Sequence, residues 1–185
     1  MNSLSKVYKH TCEVCEQENM VLHCSDKGTH HSYIPVYEEL FSKYKDKPIS
    51  LLEIGVNRGY SLFTWKNYFV NAKLIMGIEY QHHIVHKKED VEILYGDIND
   101  SEKILNGIGD RTFDIIIDDG SHDIKDQIVA FKMLQPKVNK GGLYIIEDLQ
   151  NFDDDYNVFK IYNPKVYDLR NNKNRWDDVL FVWEF

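Results

Sequence analysis

A strand-to-helix turn is encoded by the stretch LEIGVNRGYS, residues 52–61. Apolar residues over 50–54 predict a short buried strand that stops at Gly55, and the apolar pattern after Gly59 predicts a helix. Glycine at such a turn lets a ligand approach the backbone closely. A dinucleotide site would need the spacing GxGxxG, which Val56-Asn57 breaks, so the turn disfavours an NAD-dependent enzyme.

Strands and helices alternate along the rest of the chain. Helical spacing of apolar residues predicts a helix over 33–44, ended by Pro48, and another over 124–134. Further apolar runs predict strands at 73–78, 91–95, 113–117 and 143–146, the last preceded by a turn at 139–142. Buried strands that alternate with helices indicate a parallel sheet joined by right-handed crossovers.

Two more strands are predicted at 165–169 and 179–183, separated by a polar turn at 171–174, and we expect them to pair antiparallel. The sequence therefore predicts the α/β class: a Rossmann-like, mostly parallel sheet of seven strands, with helices on both faces and an antiparallel last strand. We assign residues 25–185 to this domain and residues 1–24 to an N-terminal extension.

Charge and hydropathy restrict the partners. The net charge of −8 disfavours nucleic acid, since proteins that bind it usually carry a basic surface. No apolar run approaches the roughly 20 residues that cross a bilayer, and the N-terminus has no apolar signal region, so we expect a cytoplasmic protein without membrane contact. A small-molecule substrate fits this composition best.

The cysteines are confined to the N-terminal segment. An odd number of them between Cys12 and Cys24 argues against a disulfide framework for the domain. The pair Cys12 and Cys15, close to His10 and His23, leaves a zinc site open, but a single CxxC lacks the second pair that makes zinc motifs specific.

The glycine turn carries a family resemblance. EIGVNRGYS resembles motif I of class I S-adenosylmethionine-dependent methyltransferases, and its GxxxGYS form is similar to that of catechol O-methyltransferases. The resemblance covers about residues 25–185. It implies that Gly55 and Gly59 face the cofactor. It also implies that Glu53 and Ser61 hold the methionine part.

Acids at two further strand ends complete the cofactor site that this resemblance implies. Glu79 would bind the ribose hydroxyls, and Asp97 would lie by the adenine. An ionised carboxylate can accept two hydrogen bonds from a vicinal diol, which suits the first role. Taken singly, either residue can also be a solvated acid at the end of a strand.

A second cluster of acids follows two later strands. DDGSH spans residues 118–122, and Glu147-Asp148 ends the strand after the next helix. If these strands are neighbours, their ends lie about 4.8 Å apart, so Asp119, Glu147 and Asp148 can converge on one ion. Oxygen ligands with room for water suit Mg²⁺ or Mn²⁺. The alternative is negative charge left at sheet ends in an acidic protein.

DDGSH with the later IEDL resembles the metal-dependent sugar O-methyltransferases of the macrocin and mycinamicin type. The resemblance implies that Asp119, Glu147 and Asp148 bind magnesium and that His122 is the catalytic base. Catechol O-methyltransferases place a lysine base at the same spacing, and a lysine here would have favoured an aromatic diol. Alone, His122 would more simply be a helix-start residue bonded to a carboxylate.

Two weaker signals flank these motifs. The segment 26–33 resembles a DKGT-type segment that folds near the cofactor in many relatives, although it can also be a helix-capping loop with Thr29 or Ser32 as the cap. His82, His83 and His86 more simply form a solvated helix face.

The predicted function is that of an S-adenosylmethionine- and Mg-dependent O-methyltransferase acting on a hydroxyl of a sugar, a sugar nucleotide or another sugar-containing small molecule. The alternatives are a catechol-type enzyme and a non-catalytic S-adenosylmethionine-binding protein. Only residues 150–163 follow the acidic pair to build an acceptor wall. Either a second subunit completes the pocket, as in a homo-oligomer, or the substrate is small and exposed.

Overall fold

The computed structural model describes residues 3–17, 25–81 and 91–185. The helices are α1 (Leu4–Gln17), α2 (Asp26–Thr29), α3 (Ile34–Phe41), α4 (Tyr60–Tyr68), α5 (Ser101–Ile108), α6 (Ile124–Leu134), α7 (Phe152–Phe159) and α8 (Arg170–Lys173). The strands are β1 (Ser50–Ile54), β2 (Leu74–Glu79), β3 (Val91–Tyr95), β4 (Phe113–Asp118), β5 (Val138–Ile146), β6 (Lys165–Asp168) and β7 (Val179–Glu184). Short 3₁₀ turns follow α3, α6 and α7.

All seven strands form one sheet in the order β3-β2-β1-β4-β5-β7-β6. β7 pairs antiparallel with β5 and β6, and the other neighbours are parallel. The predicted α/β class, the seven strands and the antiparallel last strand are therefore confirmed. The strand order reverses between β1 and β4, and open sheets of this kind bind ligands beyond the carboxyl ends of the strands at that point.

The sheet is covered on both faces, as expected from its apolar strands. Along β4, Ile115 and Ile117 join a buried cluster with α1, α3 and α4, while Ile116 joins the cluster on the opposite face with α5, α6 and α7. This alternation follows from the two-residue period of a strand. Leu4 and Val7 of α1 belong to the first cluster, so the N-terminal helix packs on the domain.

The structure corrects two local predictions. Residues 139–142, predicted as a turn, lie inside β5, where an irregularity in the pairing with β4 accommodates them. In the polar segment predicted as a turn, residues 171–173 belong to α8, and Asn174 is its C-cap.

The cap of α2 also differs from the expectation. It is Ser25, which accepts from the backbone N–H of Lys27, and neither Thr29 nor Ser32 takes that role. Thr29 is the last residue of α2, and Ser32 follows it.

Some expectations fall at or beyond the limits of the described residues. His82, His83 and His86 lie outside them. Cys12 is disulfide-bonded, which leaves it without a thiolate for zinc, and the other cysteines lie outside the described side chains. Among the described helices, none combines the length and apolar content that crossing a bilayer requires.

Candidate cofactor and metal site

A cavity of about 870 Å³ opens beyond the carboxyl ends of the central strands. The loops after β1, β2, β3 and β4 form most of its wall, and both ends of α2 contribute the rest. Its lining residues include Ser25, Asp26, Thr29, His30, Gly55, Asn57, Arg58, Ser61, Glu79, Gln81, Asp97, Asn99, Asp119, Ser121 and His122. The acids predicted to bind the cofactor, Glu53, Glu79 and Asp97, lie on or just after β1, β2 and β3. All three strands therefore end at this cavity.

Backbone hydrogen bonds hold the end of β1 and the loop after it against β2 and against the loop after β4. Gly55 donates its N–H to the carbonyl of Ile78 at 2.9 Å, and Asp119 donates its N–H to the carbonyl of Ile54 at 2.9 Å. Gly55 has a φ of 81°, and an added Cβ would strike the backbone of Asp119. Glycine is required here because the loops after β1 and β4 touch.

Glu79 is buried beside this loop. Its two carboxylate oxygens accept from the backbone N–H of Asn57 at 2.6 Å and from that of Gln81 at 2.9 Å. Asp97 is exposed across the cavity, and its side chain accepts from the N–H of Asn99 at 2.9 Å. Both acids line the cavity and have lone pairs left for a polar ligand.

Glu53 is fully buried and is not among the lining residues. One of its oxygens accepts from the Ser61 hydroxyl at 2.8 Å and from the indole N–H of Trp65 at 3.2 Å. Burial raises the pKa of Glu53 to about 7, against the attraction of Lys27. Gly55, Ser61, Glu79 and Asp97 thus line the cavity, whereas Glu53 and Gly59 stand outside its lining.

A second group of polar atoms converges at the edge of this cavity. The His122 Nε2 atom lies 4.0 Å from Asp119 Oδ1 and 3.8 Å from Asp148 Oδ2. One donor atom from each of these three residues lies within 4.8 Å of the others, a spacing that fits one metal ion. The ring nitrogen Nδ1 of His122 is buried without a hydrogen-bond partner in the structure.

Glu147 is not part of that group, although it precedes Asp148. Its side chain is buried, and its Oε1 accepts from Lys27 Nζ at 2.7 Å and from the Tyr37 hydroxyl. Of the acids predicted to bind the ion, the structure brings Asp119 and Asp148 together beside His122 and turns Glu147 toward Lys27.

Lys27 is a site residue to which the sequence analysis gave no role. Its side chain is only 1% exposed, and Nζ lies 2.6 Å from Asp119 Oδ2, 2.7 Å from Glu147 Oε1 and 3.4 Å from Glu53 Oε1. Burial works against the charged form, but attraction to these carboxylates raises the pKa of Lys27 well above its ordinary value. One ammonium therefore joins the ends of β1, β4 and β5.

Asp148 is supported from the side of α3. The Tyr33 hydroxyl donates to Asp148 Oδ1, and His31 Nδ1 lies 3.2 Å from the same oxygen. His31 also contacts the buried Asp178 at 3.3 Å and stacks on Tyr33. Burial, followed by repulsion from Asp119, raises the pKa of Asp148 to about 7. These contacts fix one oxygen of Asp148 and leave the other facing His122.

The backbone at this edge is held in an uncommon conformation. His122 has a φ of 59°, Asp148 of 56° and Asn57 of 48°, all in the left-handed region that non-glycine residues rarely occupy. Asparagine and aspartate tolerate this region better than most residues, and non-glycine residues held in it cluster at functional sites.

Most of the residues that line the cavity lie in a part of the chain that is similar to known proteins. Residues 52–149, just over half of the chain, match a family model described as a methyltransferase domain. The chain is 36% identical over 137 residues to an 8-demethyl-8-alpha-L-rhamnosyl tetracenomycin-C 2'-O-methyltransferase of Streptomyces olivaceus, an alignment that covers 69% of this chain and 36% of the relative. It is also 36% identical over 131 residues to a mycinamicin VI 2''-O-methyltransferase of Micromonospora griseorubida, covering 66% of this chain and 32% of the relative. The chain thus spans about a third of the length of the curated relatives it matches.

Solved structures show the same fold. MycE methyltransferase from the mycinamycin biosynthetic pathway, in complex with Mg, SAH and mycinamycin VI, superposes with a TM-score of 0.63 at 30% identity, covering 80% of this chain and 37% of that one. Another crystal form of that protein with Mg and SAH has a TM-score of 0.72 at 24% identity and covers 99% of this chain and 55% of that one.

Proposed function

The chain belongs to the methyltransferase-domain family, and we propose that it transfers the methyl group of S-adenosylmethionine to a hydroxyl of a sugar or sugar-containing small molecule, with the help of Mg²⁺ or Mn²⁺. The observation that carries this proposal is the meeting of Asp119, His122 and Asp148 at the edge of the cavity that Gly55 and Glu79 line. A cofactor in the cavity would have its reacting end near a cation site and a base.

The residues of the cavity suit S-adenosylmethionine. Glu79 would bind the ribose hydroxyls, because its carboxylate lies in the cavity wall and keeps free lone pairs. Asp97 would lie near the adenine on the far side. Ser61, in the first turn of α4, would contact the methionine part, while the buried Glu53 would hold Ser61 in place.

The residues at the edge also suit a divalent ion. Asp119 and Asp148 each direct one carboxylate oxygen toward His122, and carboxylates are the ligands that Mg²⁺ and Mn²⁺ prefer. Burial, followed by repulsion from Asp119, disfavours the charge on Asp148, and a bound cation would offset both effects. When bound, such an ion would lower the pKa of an acceptor hydroxyl.

His122 would take the proton of the acceptor. Its Nε2 faces the two carboxylates, its side chain is 27% exposed, and it lines the cavity. A neutral imidazole next to a hydroxyl of lowered pKa is an effective general base. The protein would then align the oxygen with the sulfonium methyl group for an in-line displacement.

The relatives support the proposed class of acceptor. Their names assign methylation of the sugar part of glycosylated natural products. The resemblance of the DDGSH motif also implies a lysine at the position of His122 in catechol-type enzymes. We therefore favour a sugar hydroxyl over an aromatic diol.

Calorimetry and a methylation assay test the proposal together. S-adenosylmethionine and S-adenosylhomocysteine should bind, Mn²⁺ should bind, and glycosylated acceptors should be methylated only with the divalent ion present. Binding of NAD in place of S-adenosylmethionine would contradict the cofactor assignment. Cofactor and Mn²⁺ binding without turnover on sugar or catechol acceptors would favour a non-catalytic binding protein.

A further inference from the structure

Lys27 presents one positive charge to three carboxylates from three strands. Its Nζ is within 2.7 Å of Asp119 Oδ2 and of Glu147 Oε1, and 3.4 Å from Glu53 Oε1. Lysine is rarely buried this completely unless it is paired. Here the pairing is with two of the acids that the sequence assigns to the ion.

An ion and an ammonium on the same carboxylates repel each other. Asp119 bonds Lys27 through Oδ2 and faces His122 through Oδ1, so a divalent ion beside His122 would share this carboxylate with the ammonium. An ion that also bound Glu147 would have to use Oε1, to which Lys27 donates a hydrogen bond, or the adjacent Oε2. In both arrangements the ammonium opposes binding of the ion, and the low dielectric of a buried site enlarges this effect.

We propose that Lys27 is an internal counterion that competes with the divalent ion for Asp119 and Glu147 and so keeps the site weak and exchangeable. This inference rests on the proposed function, because it takes the ion site as given. Because Lys27 offsets part of the negative charge of Glu53, Asp119 and Glu147, we expect the protein to fold whether or not the metal is bound.

The position of α2 does not depend on Lys27 alone, which makes the residue testable. Lys173 Nζ donates to three carbonyls around α2, those of Gly28 at 2.7 Å, Thr29 at 3.0 Å and His31 at 2.6 Å. Replacing Lys27 by methionine, which has a similar length and no charge, should remove the counterion while α2 stays in place.

The experiment compares Mn²⁺ binding and thermal unfolding in the unmodified protein, Lys27→Met and the control Lys125→Met. Lys125 is exposed in α6, so its replacement removes the same charge without a buried contact. Paramagnetic resonance of free Mn²⁺ gives the affinity. Lys27→Met should bind Mn²⁺ about tenfold more tightly or better, and the control should match the unmodified protein.

Thermal unfolding supplies a readout other than activity. Without added ion, Lys27→Met should unfold roughly 10 °C lower, because breaking a buried ion pair leaves unpaired carboxylates. Added Mn²⁺ should recover most of that loss, while the same addition should shift the unmodified protein far less. If Lys27→Met fails to fold, Glu53→Gln is compared with the double variant Lys27→Met/Glu53→Gln. Both proteins lack the buried charge of Glu53, and they differ only at Lys27.

The outcomes separate this proposal from the one it rests on. Unchanged or weaker Mn²⁺ binding in folded Lys27→Met would overturn the competition and make Lys27 a residue that positions Asp119 for the ion. Absence of Mn²⁺ binding in the unmodified protein and in both variants would instead overturn the ion site itself, and the competition with it.

Discussion

Gly55 and Asp119 are in backbone contact: a Cβ added at Gly55 would lie 2.0 Å from the carbonyl oxygen of Asp119. The two residues follow neighbouring strands, β1 and β4, whose ends are in register at Ile54 and Asp118. The first belongs to the proposed cofactor loop and the second to the proposed ion site. The two halves of the site are therefore joined through a contact that only glycine allows.

Replacing Gly55 by alanine should damage both halves at once. We expect the affinity for S-adenosylhomocysteine to fall by about tenfold or more, since the loop must move and the residue keeps a left-handed φ. Gly141→Ala is a matched control, because Gly141 has a φ of 79° and nothing lies within 4 Å of its added Cβ. The control should lose stability but not affinity, and equal losses of affinity in both variants would contradict the role of the contact.

Glu79→Gln should weaken cofactor binding selectively. Both carboxylate oxygens of Glu79 accept from backbone N–H groups, and an amide has only one acceptor to offer. Loss of charged hydrogen bonds of this kind predicts a drop of about 10- to 100-fold in affinity for S-adenosylhomocysteine, measured by calorimetry. Glu92→Gln, at an exposed acid paired with Arg111, should leave the affinity unchanged. Full affinity in Glu79→Gln would remove Glu79 from the cofactor site.

The regular part of the fold could be predicted because local sequence and burial agree there. β1 at 50–54, β3 at 91–95 and α6 at 124–134 have the predicted bounds. Each is a continuous apolar or amphipathic run, bounded by glycine or by polar residues. The turn predicted at 139–142 was wrong because two glycines resemble a turn locally. The segment instead forms an irregularity within β5, between its pairs with β4, and Gly141 and Gly142 exchange backbone hydrogen bonds with Phe185.

The place of Lys27 could not be predicted from its neighbours in the chain. It lies in a short polar segment, and such a lysine is usually exposed. It becomes buried only because the sheet brings Glu53, Asp119 and Glu147 from β1, β4 and β5 to one point. The resemblance of 26–33 to a DKGT-type segment near the cofactor was the one available signal, and it named no role for the lysine. The orientation of Glu147 likewise depends on Lys27 and Tyr37, which lie far away in sequence.

Removal of the ion should separate catalysis from cofactor binding. Excess chelator should abolish methyl transfer, and Asp119→Asn should do the same, since it removes a charge from the ion's ligands with little change in volume. Affinity for S-adenosylhomocysteine should stay within about threefold, because Glu79 and the glycine loop are intact. Asp153→Asn, at an exposed acid of α7, serves as the control. Undiminished turnover in excess chelator would refute the metal requirement.

His122 is the proposed base. Because a replacement at this position changes the backbone strain as well as the side chain, two replacements are compared. Its φ of 59° is unfavourable for alanine but is tolerated by asparagine, so His122→Ala and His122→Asn differ in strain while both remove the imidazole. Loss of a general base should lower kcat by roughly 10²- to 10⁴-fold in both variants, with binding of S-adenosylhomocysteine nearly intact. A large loss in His122→Ala alone would point to the backbone rather than to the base.

Mn²⁺ binding in the same two variants decides between a base and a ligand. The His122 Nε2 atom lies close enough to Asp119 and Asp148 to act as either. A base leaves the ion held by the carboxylates, so Mn²⁺ affinity should change little when His122 is replaced, whereas Asp148→Asn should lose it. If His122→Asn lost Mn²⁺ as fully as Asp148→Asn does, the imidazole would be a metal ligand, and the proton of the acceptor would have to leave by another group.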